Sequence, residues 1–484
     1  MATRDVRHTP PKTGGGSSAR SEAGRTGRTR ARKAGTERYR PLPTGTHGLD
    51  PELVKRDQRS RLQKAMVELI AAKGYPAVRI VDLAKLAHVS QPTFYSLYAD
   101  KEDLFLSAYD EVAQRTAKTV IDSYESDGSA DERLVVAMRA FTRLAAQEPE
   151  TTSLLVLGAF GAGGRALERR RLAIEALERS IYARRDGDER AQPTDLTIKF
   201  ILGGIREVTA ARLREGRAGE LPEIADQLAA WAACYPRRLP SGLEAPPVKR
   251  GESEGTGGPQ ASERARRAEG RLPSGRSDLP RQFIVKSQRE RIVDATAAIV
   301  AERGLAALTI PEIARRANVS NQTFYDIYSS KHEAFLGAQK VGMHQALRIA
   351  VEAYEAQGED WPRAVDAGVR ALLEYLASEP AHAHLTLVDT FAACPDAIEI
   401  RNAGMSGFAS YLAPGYALGE VPAIAAEAVA GGIWQVLHHY IENDSLGGLT
   451  GTGPQLTYFA LTPFLGPAQA ADVARQSAAG TDSA

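Results

Sequence analysis

The feature that most constrains this chain is an internal duplication. Residues 58–106 align with residues 288–336 without a gap, at an offset of 230, and more than a third of the 49 aligned positions are identical. A weaker echo follows, where Ala146-Gln147-Glu148-Pro149 resembles Ala377-Ser378-Glu379-Pro380. A period this long is no solenoid repeat, whose units run to about 20–50 residues. It describes two copies of one domain arrangement, so whatever the first copy folds into, the second must be able to fold into as well.

Each copy reads as helical. Leu62, Ala65, Met66, Leu69 and Ile70 form the i, i+3, i+4, i+7, i+8 stripe of an amphipathic helix, repeated as Ile292, Ala295, Ile299 and Val300. Gly74 and Gly304 follow, where glycine accepts a left-handed helix end. A short second helix is predicted from Ile80, Leu83, Ala84 and Ala87, matched by Ile310, Ile313, Ala314 and Ala317. Thr309 and Glu312 predict a capping box at its start in the second copy; Arg79 and Asp82 are a poorer cap in the first. A tight turn leads to Ser90 or Ser320, good N-caps for a third, very short helix, Gln91 to Tyr98 or Asn321 to Tyr328. A fourth begins after Asp100 or Ser330, and Ser330 with Glu333 predicts another capping box. Two short helices joined by a turn of three or four residues make a helix-turn-helix. Periodicity alone leaves this open against another small helical bundle.

The detailed motif narrows the choice. Val89-Ser90-Gln91-Pro92-Thr93-Phe94-Tyr95-Ser96-Leu97-Tyr98-Ala99-Asp100-Lys101 and Val319-Ser320-Asn321-Gln322-Thr323-Phe324-Tyr325-Asp326-Ile327-Tyr328-Ser329-Ser330-Lys331 each resemble the helix-turn-helix of the TetR family. The resemblance covers roughly 55 residues per copy. It implies an all-α fold of two tandem TetR-like units, each a three-helix DNA-binding domain followed by a helical regulatory bundle. It also implies a sequence-specific transcriptional regulator, a repressor by family habit. Two departures stand out. His88 and Asn318 occupy a position where the family usually has Gly and where φ is expected to be positive, a conformation His and Asn tolerate. Gln91 and Asn321 stand where the family often has Lys or Arg.

In this fold the third helix enters the major groove by its N-terminal part. Gln91, Asn321 and Gln322 are amides suited to pairing with adenine, and Pro92 suits a thymine methyl. By resemblance, Thr93, Tyr95, Thr323 and Tyr325 hydrogen-bond phosphates. Lys101 and Lys331, at a helix N-terminus, add charge to free N–H groups at a phosphate site. Phe94, Phe324, Tyr98, Tyr328, Leu97 and Ile327 read as core. The two recognition helices, within motifs of about 79–98 and 309–328, differ at four of eight positions. Ordinary members of the family are symmetric dimers on palindromes. The expectation here is an intramolecular pseudo-dimer on an imperfect palindrome of double-stranded operator DNA, with further self-association open.

Composition sets the domain limits. Residues 1–49 carry eleven Lys or Arg against three Asp or Glu, and residues 237–281 ten against six. Both stretches are rich in Gly, Ser, Pro and Arg, a composition that cannot bury enough apolar surface to offset ordering entropy. The expected organisation is a disordered basic arm (1–55), a DNA-binding domain (56–116), a regulatory domain (117–236) and a disordered linker (237–285). A second DNA-binding domain (286–346), a second regulatory domain (347–467) and a disordered tail (468–484) complete it. The arm tracks phosphates or is simply a solvated tail; the sequence does not choose. Net charge is +1 and decides nothing about a nucleic-acid partner. Two cysteines, Cys234 and Cys394, exclude a disulfide framework and a four-cysteine zinc site. No apolar run reaches the roughly 18 residues of a membrane span, and a cytoplasmic, nucleoid-associated protein is expected.

The regulatory halves are predicted as bundles, with helices over Glu132–Gln147, Leu196–Glu215, Ile224–Ala233, Ala364–Ser378 and Ala423–Ile441. An effector pocket follows only from resemblance. Phe391, Tyr411, Trp434 and His438 are its candidates, for a small apolar effector, although core packing is the stronger reading of the aromatics. Enzymatic chemistry finds no support: the glycines of 158–164 follow no strand and lack dinucleotide-site spacing. His382, His384, Asp389 and Cys394 match no common metal spacing, and His438-His439 point to opposite helix faces. No catalytic residue, metal or cofactor is expected. Two other functions stay open: a DNA-binding or architectural protein without an effector, and a small-molecule sensor in which only one copy reads DNA.

Overall fold

The computed structural model describes residues 50–125, 127–186, 196–236, 239–244, 246, 280–389, 395–443 and 445–481. Among them the regular structure is helix alone. Most of the predicted basic arm and of the predicted linker lies outside the described residues. The chain divides into two compact units, described separately: one holds residues up to 65 together with 79–101, the other 66–78 and everything from 102 onward. The second helix-turn-helix therefore belongs to the same unit as both regulatory halves.

The first copy runs α1 (Pro51–Lys73), α2 (Ile80–Leu86), α3 (Gln91–Leu97), α4 (Lys101–Tyr124), α5 (Ala130–Gln147), α6 (Pro149–Val156), α7 (Gly164–Asp186), α8 (Leu196–Arg214) and α9 (Ala225–Ala233). The second runs α10 (Arg281–Arg303), α11 (Ile310–Arg316), α12 (Asn321–Ile327), α13 (Lys331–Glu355), α14 (Trp361–Ser378) and α15 (Pro380–His384). It continues with α16 (Pro395–Ser410), α17 (Ala425–Glu442), α18 (Leu446–Leu449), α19 (Gly453–Leu465) and α20 (Pro467–Thr481). Predicted regulatory helices are recovered within three residues at each end. α5 starts earlier than expected because Ser129 and Glu132 form a reciprocal capping box, and α14 does so with Asp360 accepting from the Arg363 N–H.

Three expectations of disorder are corrected. Residues 51–55 and 281–285 are the first turns of α1 and α10. The predicted tail is largely α20, whose Ala470, Ala471 and Ala474 are buried against the core. Alanine hides there what a larger apolar residue would have announced. It buries little area each, yet its high helix propensity and flat surface let α20 lie close on α19.

The core of the second unit is centred where the two regulatory halves meet. Phe200 of α8 stacks on Phe459 of α19 with ring centroids 4.7 Å apart, and it contacts Trp231 and Tyr235 of its own half. The Tyr235 hydroxyl donates to the Phe459 carbonyl at 3.0 Å. α8 and α17 cross closely, each placing glycine where the other helix approaches. A Cβ on Gly203 would stand 2.5 Å from the Gln435 Cβ, and a Cβ on Gly431 would collide with the Glu207 Cβ. A Cβ on Gly204 would lie 2.6 Å from the Ala428 carbonyl oxygen, and one on Gly432 2.8 Å from that of Phe200. Each contact thus occurs twice, once in each direction. The residues fall into register at an offset of 228, Gly203-Gly204-Ile205-Arg206-Glu207-Val208 against Gly431-Gly432-Ile433-Trp434-Gln435-Val436.

Candidate nucleic-acid interface

Both helix-turn-helix motifs are built by the same local devices. α2 ends in a Schellman-type stop: the Val89 N–H donates to the Ala84 carbonyl at 3.0 Å, with His88 at φ 53°. α11 ends identically, Val319 to Ala314 at 3.0 Å, with Asn318 at φ 52°. The expected positive φ is present in both, on residues other than glycine. What holds it is an arginine on the preceding long helix. Arg61 donates from Nη1 to the carbonyls of Ala87 and His88, and Arg291 to those of Ala317 and Asn318 at 2.9 and 3.0 Å. Sequence reading missed both arginines, although their spacing of 230 was visible. Each satisfies carbonyls that the turn would otherwise leave unpaired.

Ser90 and Ser320 cap the third helices, accepting from the Thr93 and Thr323 N–H groups at 3.1 and 3.0 Å. The capping box expected of Thr309 and Glu312 does not form; Thr309 makes no side-chain cap. Arg315 and Arg303 take Glu312 instead and hold its carboxyl down to about 2. The Ser330 box is half formed: Ser330 accepts from Glu333 N–H at 3.1 Å, while the Glu333 carboxylate turns to Ser329. Gly74 and Gly304 have positive φ but extended ψ, 152° and 168°, a region open essentially to glycine rather than the expected left-handed helix.

The short third helices sort their side chains by side. Phe94 and Phe324 are fully buried, whereas Tyr95 and Tyr325 next to them are 56% and 54% exposed. Gln91, Pro92, Asn321 and Gln322 are exposed at the helix start, and Thr93 and Thr323 are half-buried beside the caps. Two details are new. The Gln322 amide donates to the Asp326 carboxylate at 3.0 Å, and Lys331, itself exposed, donates to the Leu308 carbonyl at 2.8 Å.

A family model described as bacterial regulatory proteins of the tetR family matches the chain twice, at residues 63–108 and 292–337. The chain is a tandem TetR-type regulator. Both matches fall on the motifs just described, so this TetR-type chain is a DNA-binding transcriptional regulator. Comparison with curated proteins found no match. Among solved structures it is similar to the fatty acid degradation regulator FadR of Bacillus halodurans (18% identity, 35% of this chain and 96% of that one, TM-score 0.31). It is also similar to FadR of Bacillus subtilis, solved with stearoyl-CoA (17%, 36% and 96%, 0.32), and to a TetR family regulator of Marinobacter aquaeolei VT8 (20%, 36% and 97%, 0.28).

Three of the four residues expected at an effector pocket are described. Phe391 lies outside the described residues. Tyr411 lines a cleft of about 20 Å³ and Trp434 a hollow of about 70 Å³, and the two share Leu347, Ala350 and Phe408 as walls. His438 is buried and lines neither; burial first, then Arg170, hold it down to about 3. A hollow of about 170 Å³ lies between α4, α5, α7 and α8, with Gln435 of the second half in its wall. Among the described residues no group of three or more His, Cys, Asp or Glu is placed to hold a metal, and no helix is long and apolar enough to cross a membrane.

Proposed function

We propose that one chain of this TetR-type regulator acts as an intramolecular pseudo-dimer, a ligand-responsive repressor on an imperfectly palindromic operator. The observation that carries this reading is the α8–α17 crossing. An isologous dimer interface repeats each contact in both directions about a two-fold axis, and here the Gly203–Gln435 and Gly431–Glu207 contacts are such a pair within a single chain. The tether replaces a second molecule by a high effective concentration. The unlike recognition helices then read unlike half-sites: Gln91 and Pro92 base edges of one, Asn321 and Gln322 those of the other. Thr93, Tyr95, Lys101, Thr323, Tyr325 and Lys331 set the register on phosphates.

The test is binding to fragments from the chain's own upstream region, with mass measured on the complex. One chain on one asymmetric site, weakened by both Lys101→Ala and Lys331→Ala, is the expected result. Two chains on a strictly symmetric site would overturn the pseudo-dimer, and sensitivity to one substitution alone would leave a single reading copy.

A further inference from the structure

The correspondence between the halves extends beyond the glycine crossing. α7 and α16 start at Gly164 and Pro395, an offset of 231 that pairs Arg170 with Arg401. Both arginines are buried, 5% and 2% exposed. Arg401 reaches across the halves to Glu207, Nη2 to Oε2 at 2.7 Å, and lies 4.6 Å from the ring centroid of Trp434. Burial pushes the Glu207 carboxyl up, but Arg401 and then Arg214 outweigh it and keep it below the usual carboxylate range.

The mirror position is chemically different. The counterpart of Glu207 is Gln435, that of Trp434 is Arg206, and that of Glu427 is Lys199. On this side the halves leave the hollow of about 170 Å³, whose wall includes Arg170, Lys199, Arg206 and Gln435 among otherwise mostly apolar side chains and no carboxylate. Lys199 is held from behind by Glu178. Tyr109 and Glu442 act on Arg170, and burial pulls its guanidinium below the ordinary value. A guanidinium in so apolar a wall gains strongly from an anion delivered to it, because water competes poorly there.

We propose that this hollow binds one organic anion per chain, a carboxylate on a compact apolar body. Its head group lies between Arg170, Arg206 and the Gln435 amide of the other half. The two-fold equivalent in the second half is the smaller hollow of about 70 Å³, where Trp434 stands in place of Arg206 and Arg401 is taken by Glu207. The volume suits a small body, since an engineered cavity of about 150 Å³ takes benzene. This rests on the ligand-responsive reading and assigns its chemistry: one ligand, one side, and a carboxylate replaced by an amide as the reason.

Octanoate, octanol and octylamine serve as probes on the full chain, by calorimetry and by thermal shift without DNA. Octanoate is expected to bind at one per chain and the other two much more weakly. Gln435→Glu restores the symmetric ion pair, so it should fold and bind DNA yet lose octanoate affinity by more than about tenfold. Arg206→Trp, which fills the hollow with the residue of its counterpart, should do the same. Two octanoates per chain, no octanoate binding, or undiminished binding by Gln435→Glu overturns the assignment. Preferred binding of octanol or octylamine overturns the anion chemistry while leaving a ligand-responsive regulator intact. Octanoate binding that leaves the DNA affinity unchanged would instead sink ligand response and keep the site.

Discussion

Asp326 shows how one residue can tune a recognition helix. Its carboxylate holds the Gln322 amide at 3.0 Å, whereas the first copy has Ser96 at that position, bonded to its own backbone at Thr93. An adenine-reading amide needs both its donor and its acceptor free, and a carboxylate beside DNA repels phosphates. Asp326→Ser should therefore tighten operator binding by about three- to tenfold, in the half-site of the second copy alone, as read by titration against operators altered in one half. His438 belongs to the same scale. Burial, then Arg170, His439, His384 and Arg401, hold it down to about 3, so the folded state keeps it neutral while the unfolded chain protonates it near 6.5. A lowered folded value means its contribution is full above about pH 6.5 and falls as pH drops toward about 3. Melting temperature should decline on that acid limb, and His438→Asn should flatten it relative to its own value at neutral pH.

Helices meet here by what they omit. Gly203, Gly204, Gly431 and Gly432 let α8 and α17 cross at backbone distance, and a side chain at any of them would have to displace another helix. Gly203→Val should cost about 1–3 kcal/mol or more by overpacking, whereas Gly219→Ala, with open space around it, should be close to neutral in the same denaturant titration. α20 is an element of the second half with no described counterpart after α9. Removing residues 467–484 uncovers the apolar surface of α19 that Ala470, Ala471 and Ala474 help bury. The truncated chain should melt several degrees lower and bind more of a hydrophobic dye; an unchanged melting curve would show that α20 contributes nothing to the core.

At the scale of the molecule, duplication followed by divergence turns a symmetric plan into an asymmetric one. The DNA-reading ends differ at four of eight positions, and the mirrored interior positions carry Glu207 against Gln435 and Trp434 against Arg206. If both ends engage phosphates, Lys101→Ala and Lys331→Ala should each lower the slope of binding against salt by about one, measured over several salt concentrations. A slope unchanged by one of them assigns all phosphate contact to the other copy.

The sequence by itself determined the helix-turn-helix pairs, their caps at Ser90 and Ser320, the positive φ at His88 and Asn318, and most helix limits. These are local matters, set by periodicity and by residues a few positions apart. It also showed the Arg61 and Arg291 repeat, although only the turn carbonyls they reach explain it. The crossing of α8 with α17, the pairing of Arg401 with Glu207 and the hollow beside Arg170 were decided by the tertiary structure alone. Their partners stand some 200 residues apart, and the register that relates the halves shifts from 230 to 231 and then 228, which an ungapped repeat conceals. The extent of any pocket is a tertiary matter for the same reason: the aromatics of one half draw the eye in a sequence, but where a space remains depends on how all the surrounding side chains pack.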